Sequence, residues 1–447
     1  MDKQLALMDR FDVVVIGGGI GGYTCAIRAS QLGKKVALIE QREIGGTCLN
    51  RGCIPTKALL RSAELYDLFK SSEEFGIRAE SISFDMRKMM DRKNGVVSKL
   101  RGGVELLLKR ANVTVVKGKG EILDESRVKA NGDVMESENT VIATGSEPAQ
   151  MLGTDGKSVL TSDDALTMEE IPASMLIVGA GAIGVEFATL LSSLGTKVTM
   201  LEMMDHVLPA LNDDKTTKLL SSALRRRGVE IKTGSKIERI EKEDRVTAVL
   251  ESGDRVSSDR ALISIGRKLN SQGLEALVKT EKGRIIVNER METSVKGIYA
   301  IGDVIGGLML AHKAMHEGIV AAENIADAER AMDYSVIPSV VYSRPEVAWV
   351  GLTEKDVKDP KIGECPFSAN GKALCEGDSY GNTRIVADRG GRIVGAQVIG
   401  PQASLLIEEV ALAIKSKATL EDIAELVHPH PTLSEVIFEA CSRALGN

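Results

Sequence analysis

The hydrophobic pattern of this chain repeats one arrangement twice. Between positions 11 and 40, an apolar, β-branched run leads into a glycine turn, then into a helix-like stretch and a second apolar strand. Short continuous apolar runs bounded by turn residues are typical of strands buried on both faces of a parallel sheet. The same order returns from position 175 to position 202, with a helix expected at about 185–194. The pattern therefore predicts two β-turn-α-β units of the Rossmann type.

The turns of both units carry glycines at the G-x-G-x-x-G spacing: Gly17, Gly19 and Gly22 in the first unit, and Gly179, Gly181 and Gly184 in the second. Such glycines allow a tight turn, an approach of the backbone to a pyrophosphate, and close packing of helix on strand. In each unit the second strand ends at an acidic residue, Glu40 or Glu202, at the same distance from the first glycine. A single glycine triplet is a weak signal, but two in matched context predict two dinucleotide sites.

Two cysteines follow the first unit closely. Cys48 and Cys53 lie in the segment GGTCLNRGCIPTK. In a regular helix, Cα atoms five positions apart are about 8.6 Å from each other, which exceeds the limit of about 7 Å for an unstrained disulfide. A bridge therefore needs a distorted turn, and Asn50 and Gly52 are residues that tolerate unusual backbone angles. The alternative is a pair of reduced, buried thiols without a role.

The position of the cysteines indicates which dinucleotide each unit binds. A redox carrier is expected beside them, and the carrier that can exchange electrons between a disulfide and a hydride is a flavin, so the first unit is predicted to bind FAD. In the second unit, the charge of Glu202 would repel a 2′-phosphate, and the following Met203 and Met204 offer no positive charge to offset it. We therefore expect NAD there rather than NADP.

Composition excludes several classes of protein. The 447 residues are 43% hydrophobic, which suggests about three domains. A net charge of -6, without a basic block, argues against nucleic-acid binding. Charges interrupt the N-terminal stretch MDKQLALMDR before it reaches signal-peptide length, and later apolar runs are short, so we expect a cytoplasmic protein without a membrane segment. No zinc ligand set accompanies the cysteines, no metal is expected, and Cys25, Cys365 and Cys375 are interpreted as packing or surface residues.

Taken together, these motifs resemble the pyridine nucleotide-disulfide oxidoreductases over essentially the whole chain. Besides the cysteine segment and the two glycine turns, the matching blocks are ATGS at 143–146, AIGD at 300–303, MLAHK at 309–313 and HPT at 430–432. The resemblance implies an α/β fold with two Rossmann-like dinucleotide-binding domains and a C-terminal α+β dimerisation domain. The implied boundaries are 1–147 for an FAD domain, 148–268 for an NAD domain, 269–335 for a central domain that completes the FAD site, and 336–447 for an interface domain.

The resemblance also implies roles for individual residues. FAD contacts are expected from Gly17, Gly19, Gly22, Glu40, Gly120, Thr144, Gly145, Gly302, Asp303, Met309, Leu310, Ala311 and His312. NAD contacts are expected from Gly179, Gly181, Gly184, Glu202, Ile237 and Gly266, of which Ile237 has the weakest motif. Lys57 resembles the lysine beside the flavin ring, and Glu186 resembles the carboxylate that pairs with it. Both are counted as catalytic and cofactor-contacting residues.

Thiol-disulfide exchange needs a base that forms a thiolate from the substrate. His430 matches the family's base and Glu435 the carboxylate that orients it, while His428 on the same turn is the rival. The closest likeness within the family is to members that oxidise dihydrolipoamide with NAD. It implies Cys48 as the exchange thiol and Cys53 as the flavin-facing thiol. It also implies a homodimer in which His430 of one subunit serves the cysteines of the other. Apolar stretches at 396–399 and 405–414 suit such an interface.

Two alternatives remain open from the sequence. Besides NAD-dependent oxidation of dihydrolipoamide, the chain could be another FAD-dependent NAD(P)H disulfide reductase. It could also be chiefly a structural subunit of a lipoyl assembly, such as a 2-oxo acid dehydrogenase complex or the glycine-cleavage system. A lipoyl-bearing protein is the expected partner. Small departures from the family pattern are Arg51 between the cysteines, Thr56 in place of serine, and Pro429 between the two histidines.

Overall fold

A computed structural model describes residues 7–150 and 152–446. The first six residues of the stretch that argues against a signal peptide lie outside this range. The chain forms two compact units, each built from separate segments. The first contains residues up to 58, 87–149 and 266–333, and the second contains 59–86, 150–265 and 334 onward. The first therefore combines most of the expected FAD domain with the expected central domain, whereas residues 59–86 of the expected FAD domain belong to the second unit. The four domain boundaries themselves stay a prediction.

The first unit contains a seven-stranded sheet in the order β3-β2-β1-β6-β5-β4, with β19 added to β6. Strands β3, β2, β1, β6 and β19 are parallel, whereas β4, β5 and β6 pair antiparallel. Its strands are β1 (Leu7–Ile16), β2 (Val36–Glu40), β3 (Thr114–Lys117), β4 (Gly120–Asp124), β5 (Arg127–Ala130), β6 (Asp133–Ile142) and β19 (Ile298–Ala300). Two short antiparallel pairs complete the strands of this unit, namely β7 (Ser146–Pro148) with β16 (Arg267–Leu269) and β17 (Thr280–Glu281) with β18 (Arg284–Ile285).

Helices α1 (Ile20–Gln31) and α8 (Ala311–Ile325) of the first unit pack closely because glycines lie at their contact. A Cβ atom on Gly21 would lie 2.9 Å from the carbonyl oxygen of Ala314, and one on Gly318 would overlap the carbonyl oxygen of Gly21. The helices of this part of the chain are α1 (Ile20–Gln31), α2 (Gly46–Arg51), α4 (Met86–Arg110) and α8 (Ala311–Ile325), together with the start of α3 (Cys53–Lys70). A 3₁₀ turn at Gly302–Ile305 precedes α8.

The second unit contains a parallel five-stranded sheet in the order β11-β10-β9-β15-β8. The strands are β8 (Val159–Leu160), β9 (Ser174–Val178), β10 (Lys197–Leu201), β11 (Glu230–Lys232) and β15 (Arg260–Ile263), and an antiparallel sheet is formed by β12 (Ile237–Lys242), β13 (Val246–Leu250) and β14 (Arg255–Ser258). The helices are α5 (Ser162–Ala165), α6 (Ala182–Ser193) and α7 (Asp214–Arg226). The helix expected at 185–194 thus begins directly at the glycine turn.

The C-terminal part of the second unit is an antiparallel sheet in the order β20-β21-β24-β23-β22, covered by helices. Its elements are β20 (Ser339–Val341), β21 (Glu346–Gly351), β22 (Lys361–Pro366), β23 (Asn382–Ala387), β24 (Ile393–Gly400), α9 (Gly371–Cys375), α10 (Ala403–Ser416), α11 (Leu420–Ala424) and α12 (Glu435–Leu445). Its apolar core includes Val398, Ile407 and Val436, all fully buried. Two Rossmann-like sheets and a C-terminal α+β segment confirm the predicted fold class.

Candidate active site

Cys48 and Cys53 form a disulfide at a break between two helices. Helix α2 ends at Arg51, and α3 begins at Cys53. Between them Gly52 takes φ −143° and ψ −110°, and the two cysteine Cα atoms lie 4.7 Å apart. This is well below the spacing of about 8.6 Å that a regular helix would impose. The distorted turn predicted from the sequence is confirmed.

Asn50 does not contribute to that distortion. It lies inside α2, where its side-chain amide donates to the carbonyl oxygens of Ile44 at 3.0 Å and Gly46 at 2.9 Å. The expectation that Asn50 supplies unusual backbone angles is wrong, because Gly52 alone carries the break. A Cβ atom on Gly52 would lie 3.1 Å from the carbonyl oxygen of Thr47, which leaves little room for a side chain.

Two of the residues that depart from the family pattern, Arg51 and Thr56, form ordinary polar contacts. The Arg51 guanidinium pairs with Glu43 at 2.7 Å. The Thr56 hydroxyl donates to the carbonyl oxygen of Gly52 at 2.7 Å, so this side chain supports the helix break itself. Lys57 lies in α3 four residues after Cys53, on the same face of the helix.

The first glycine turn has the shape that a pyrophosphate needs. Gly17 has a φ of +111°, and a Cβ atom on Gly22 would overlap the Gly17 carbonyl oxygen. Gly19 is the N-cap of α1, and a Cβ there would meet only Gly46, at 3.9 Å. The open side of the turn therefore lies at the N-terminus of a twelve-residue helix, where backbone N–H groups favour an anion.

Glu40 is held beside this turn by backbone N–H groups. Its Oε2 accepts from Gly18 N at 2.7 Å and its Oε1 from Arg42 N at 2.6 Å. A cleft of about 510 Å³ adjoins it, with Arg42, Arg101 and Lys117 among its lining residues. The sequence reasoning missed these three basic residues, because they come from separate segments. The cleft fits the adenosine part of FAD, whose ribose Glu40 would contact.

One chain of polar contacts ends at Asp303, and a second ends at the neighbouring Gly302. The Ser146 hydroxyl donates to the Asp303 carboxylate at 2.5 Å and accepts from Arg267 Nε at 2.7 Å. The preceding Gly302 N–H, at a φ of +77°, donates to Glu317 at 2.8 Å. Glu317 in turn pairs with Lys313 at 2.8 Å, and both are buried. Sequence reasoning missed Ser146, Arg267, Lys313 and Glu317 as supports, although a Lys-Glu pair four residues apart in a helix was visible.

The other residues expected to contact FAD belong to the same unit. Thr144 and Asn270 exchange hydrogen bonds, since the Thr144 hydroxyl donates to the Asn270 carbonyl at 2.7 Å and the Asn270 amide donates to the Thr144 carbonyl at 3.0 Å. The remaining members lie in β4, in the β6–β7 turn and at the start of α8: Gly120, Gly145, Met309, Leu310, Ala311 and His312. Their contacts with FAD stay a prediction.

The second glycine turn repeats the first. Gly179 has a φ of +100°, and a Cβ atom on Gly184 would overlap its carbonyl oxygen. Gly181 is the N-cap of α6, and a Cβ there would meet nothing within 4 Å. Glu202 is only 6% exposed, with Oε2 accepting from Ala180 N at 2.7 Å and Oε1 from Met204 N at 2.9 Å. This turn fits a second dinucleotide for the same reasons as the first.

Two residues expected near NAD differ in their surroundings. Gly266 has a φ of +129°, and a Cβ atom there would meet nothing within 4 Å. Ile237 is half-buried and packs against an apolar cluster that includes Leu176 and Val246, so its expected NAD contact rests on resemblance alone.

Glu186 is buried in α6 and accepts from the backbone N–H of Tyr342 at 3.1 Å. Burial raises the pKa of the Tyr342 phenol, with further contributions from Glu346 and Glu186. Tyr342 therefore stays neutral at physiological pH. Lys57 belongs to the first unit and Glu186 to the second, and their pairing stays a prediction.

His430 and Glu435 form a pair at the start of α12. The His430 side chain is 78% exposed, and its Nδ1 lies 2.8 Å from Glu435 Oε1. Glu435 Oε2 accepts from Thr432 N at 2.9 Å. That backbone hydrogen bond, followed by the one from His430, lowers the pKa of Glu435. An ionised carboxylate thus accepts from Nδ1 and orients the ring, the arrangement that a histidine general base uses.

His428 has different surroundings from His430. Its side chain is only 6% exposed, and its Nε2 lies 2.9 Å from Glu409. Within residues 7–150 and 152–446, no hydrogen bond engages Nε2 of His430, whereas both ring nitrogens of His428 are engaged. The geometry favours His430 over its rival as the residue that exchanges protons with a substrate.

The remaining cysteines are separate from this chemistry. Burial raises the pKa of the Cys25 and Cys441 thiols to about 12. Cys365 is also buried, and Cys375 is exposed. Among the described residues, none of the helices combines the length and the apolar content that a membrane span needs. In the same part of the chain, no cluster of three or more His, Cys, Asp or Glu side chains could hold a metal ion.

Comparison with known families matches residues 11–318 to the pyridine nucleotide-disulphide oxidoreductases and residues 337–441 to the dimerisation domain of that family. The chain belongs to the pyridine nucleotide-disulphide oxidoreductase family. Because the match includes the family's dimerisation domain, we expect this chain to form a homodimer.

Several curated members are similar over nearly their full length. A dihydrolipoyl dehydrogenase of Bacillus subtilis is 44% identical, with 98% of each chain covered. One of Thermus scotoductus is 44% identical, with 97% of each chain covered. Among solved structures, LpdA from Mycobacterium tuberculosis has a TM-score of 0.91 at 26% identity, with 96% of this chain and 99% of that chain covered. The HOCl-induced flavoprotein disulfide reductase RclA from Escherichia coli, as its Cu(II) complex, has a TM-score of 0.88 at 27% identity, with 98% and 100% covered.

Proposed function

We propose that this family member is a dihydrolipoyl dehydrogenase, which oxidises dihydrolipoamide carried by a lipoyl protein and reduces NAD to NADH. The observation that carries the proposal is the Cys48–Cys53 disulfide at a helix break, a few residues after the first dinucleotide-binding unit ends at Glu40. The curated relatives described above bear the same enzyme name at 44% identity.

The enzyme uses FAD and NAD. FAD belongs at the first turn, with Glu40 toward its ribose and Asp303 toward its ribitol, and NAD belongs at the second turn with Glu202. Bound FAD supplies a carrier that takes an electron pair from a dithiol and passes it to NAD as hydride. Lys57 would place positive charge beside the flavin ring, and the resemblance gives Glu186 as the carboxylate that orients it.

The residues of the chain perform the thiol chemistry. His430 accepts a proton from one thiol of dihydrolipoamide, and the resulting thiolate attacks the sulfur of Cys48. The Cys48–Cys53 bond breaks, Cys53 leaves as a thiolate, and a mixed disulfide forms between substrate and Cys48. The second substrate thiol then attacks the substrate sulfur of that mixed disulfide. Lipoamide is released, and Cys48 leaves as a thiolate that takes up the first proton from His430. His430 in turn accepts the proton of the second substrate thiol, so the reduced site holds one proton on Cys48, one on His430 and a thiolate at Cys53.

The active site is shared between subunits of a homodimer. The family's dimerisation domain covers residues 337–441, which include His430 and Glu435. We assign His430 to the disulfide of the partner subunit, in line with the expectation from resemblance. Cytoplasmic location and a lipoyl protein as partner are part of the same proposal.

A steady-state assay tests this function against the alternatives. Dihydrolipoamide with NAD should give rapid NADH formation, whereas glutathione disulfide with NADH or NADPH should give little turnover. Rapid glutathione disulfide reduction would make the chain another disulfide reductase of the family. Co-purification with a lipoyl protein, without dihydrolipoamide turnover, would indicate a structural subunit.

A further inference from the structure

His428 is hydrogen-bonded on both ring nitrogens by groups that accept hydrogen bonds. Nδ1 lies 3.0 Å from the carbonyl oxygen of Leu426, and Nε2 lies 2.9 Å from Oε1 of Glu409 in α10. The ring is almost fully buried and packs beside Phe438 of α12, with centroids 5.8 Å apart. His428 is therefore a fixed connection between its own turn and the neighbouring helix α10.

These two contacts determine how many protons the His428 ring and the Glu409 carboxyl hold together. A backbone carbonyl oxygen only accepts, and an ionised carboxylate only accepts, whereas a neutral imidazole carries a single N–H. A neutral ring beside an ionised Glu409 would leave one of the two contacts without a hydrogen. One additional proton is required, and an imidazole ordinarily binds a proton more tightly than a carboxylate does.

We propose that His428 is held as an imidazolium by Glu409, and that this ion pair is a positioning device for the catalytic His430 two residues later. The inference rests on the proposed role of His430 as base. His428 does not touch the substrate in this account. It acts by fixing the backbone on one side of Pro429.

Other elements hold the turn from Pro429 to Thr432, and the hydrogen bond from His428 to Glu409 joins the preceding segment to α10. The Thr432 hydroxyl donates to the Pro429 carbonyl at 2.8 Å, and the Asn370 amide donates to the Thr432 carbonyl at 3.0 Å. Glu435 of α12 holds the ring of His430. Without the bond to Glu409, the segment before Pro429 would be joined to α10 by one fewer polar contact.

Titratable groups approach His428 from both helices packed against it. Glu409 faces it from α10, and Glu435 faces it from α12, where the charge of His428 contributes to the lowered pKa of that carboxyl. Cys441, also on α12, stays a neutral thiol because burial raises its pKa to about 12. Loss of the His428 proton at alkaline pH would remove one of the two hydrogen bonds and loosen the segment that carries His430.

The variant Glu409→Gln removes the need for the extra proton on His428 but keeps the hydrogen bond between the two side chains. The glutamine amide can donate to Nε2 of a neutral ring, while Nδ1 still donates to Leu426, so both hydrogen bonds persist without the extra proton. We expect dihydrolipoamide turnover within about twofold of wild type at neutral pH, and a loss of the alkaline decline in kcat. Glu409→Ala removes the contact and should lower kcat about tenfold or more, as expected for a hydrogen bond to a charged group. Glu425→Gln, an exposed carboxylate on the same segment, is the control and should behave like wild type.

Two measurements keep this inference separate from the proposed function. NADH-dependent reduction of ferricyanide needs no base on the substrate side, so it should be unchanged in Glu409→Ala if the fold is intact. In protein labelled with ¹⁵N-histidine, the His428 signals, assigned by their absence in His428→Gln, should show protons on both ring nitrogens at neutral pH. They should show one proton in Glu409→Gln. A singly protonated wild-type ring would overturn the proposal even if dihydrolipoamide is the substrate. An unchanged pH profile and kcat in Glu409→Ala would overturn the positioning role.

Discussion

Replacing Glu435 by Gln tests how the proposed base is oriented. Both oxygens of this carboxylate are used, since Oε1 faces His430 Nδ1 at 2.8 Å and Oε2 accepts from Thr432 N at 2.9 Å. Glutamine keeps a single oxygen and places an NH₂ group at the other position. Either the ring N–H of His430 or the backbone N–H of Thr432 therefore loses its acceptor.

The magnitude follows from that single loss. A hydrogen bond to a charged group is worth about 1.5–3 kcal/mol, which corresponds to roughly 10- to 100-fold in rate if it acts on the transition state. We expect kcat/KM for dihydrolipoamide to fall by that factor in steady-state NADH formation. NADH-dependent ferricyanide reduction, which does not need His430, should stay near the wild-type value.

Glu439→Gln is the matched control. Glu439 lies one turn later in α12, about half-exposed, with Arg443 3.9 Å away, so its loss should change kcat/KM by less than twofold. Unchanged turnover in Glu435→Gln would refute the assigned role of this carboxylate. An equal loss in both variants would show that the effect reflects the helix rather than the base.

Three other predictions test separate parts of the account. Because Glu202 would repel a 2′-phosphate, kcat/KM with NADP should be roughly a hundredfold below that with NAD, equivalent to about 2–3 kcal/mol; equal values would contradict this. Burial raises the pKa of Glu346, with Glu64 and Asp378 contributing, so its ionised form is destabilising above the ordinary carboxyl pKa. Glu346→Gln should therefore raise the midpoint temperature of thermal unfolding at pH 8 and have little effect near pH 4. A lower midpoint for the variant than for wild type at pH 8 would contradict this prediction. In the oxidised protein, a thiol reagent should modify Cys375 rapidly and the buried cysteines slowly, with the fast phase absent in Cys375→Ser.

The sequence was most informative where the constraint is local. The glycine turns follow from steric limits within a few residues, such as the space between Gly22 and the carbonyl of Gly17, and the spacing alone reveals them. The distorted turn between the cysteines was predictable for the same reason. The role given to Asn50 was wrong, because tolerance of unusual backbone angles does not mean that a residue adopts them.

The supports of the site were not predictable from the sequence, because they join segments far apart along the chain. Arg267 reaches Asp303 through Ser146, across more than a hundred residues, and no local pattern signals such a chain of hydrogen bonds. The burial of His428 beside the exposed His430 is a second example. Two histidines in the motif HPH have similar sequence context, and only the packing against α10 and α12 distinguishes them.

Anaerobic turnover of dihydrolipoamide with NAD by cysteine variants shows whether the Cys48–Cys53 disulfide accepts electrons from the substrate dithiol. We expect rapid NADH formation by wild type and a loss of about a thousandfold or more in Cys48→Ser, as for removal of a covalent nucleophile. Cys375→Ser should show normal rates, because Cys375 is exposed and outside the bridge. NADH formation by Cys48→Ser at a rate close to wild type would show that electrons reach NAD without this disulfide.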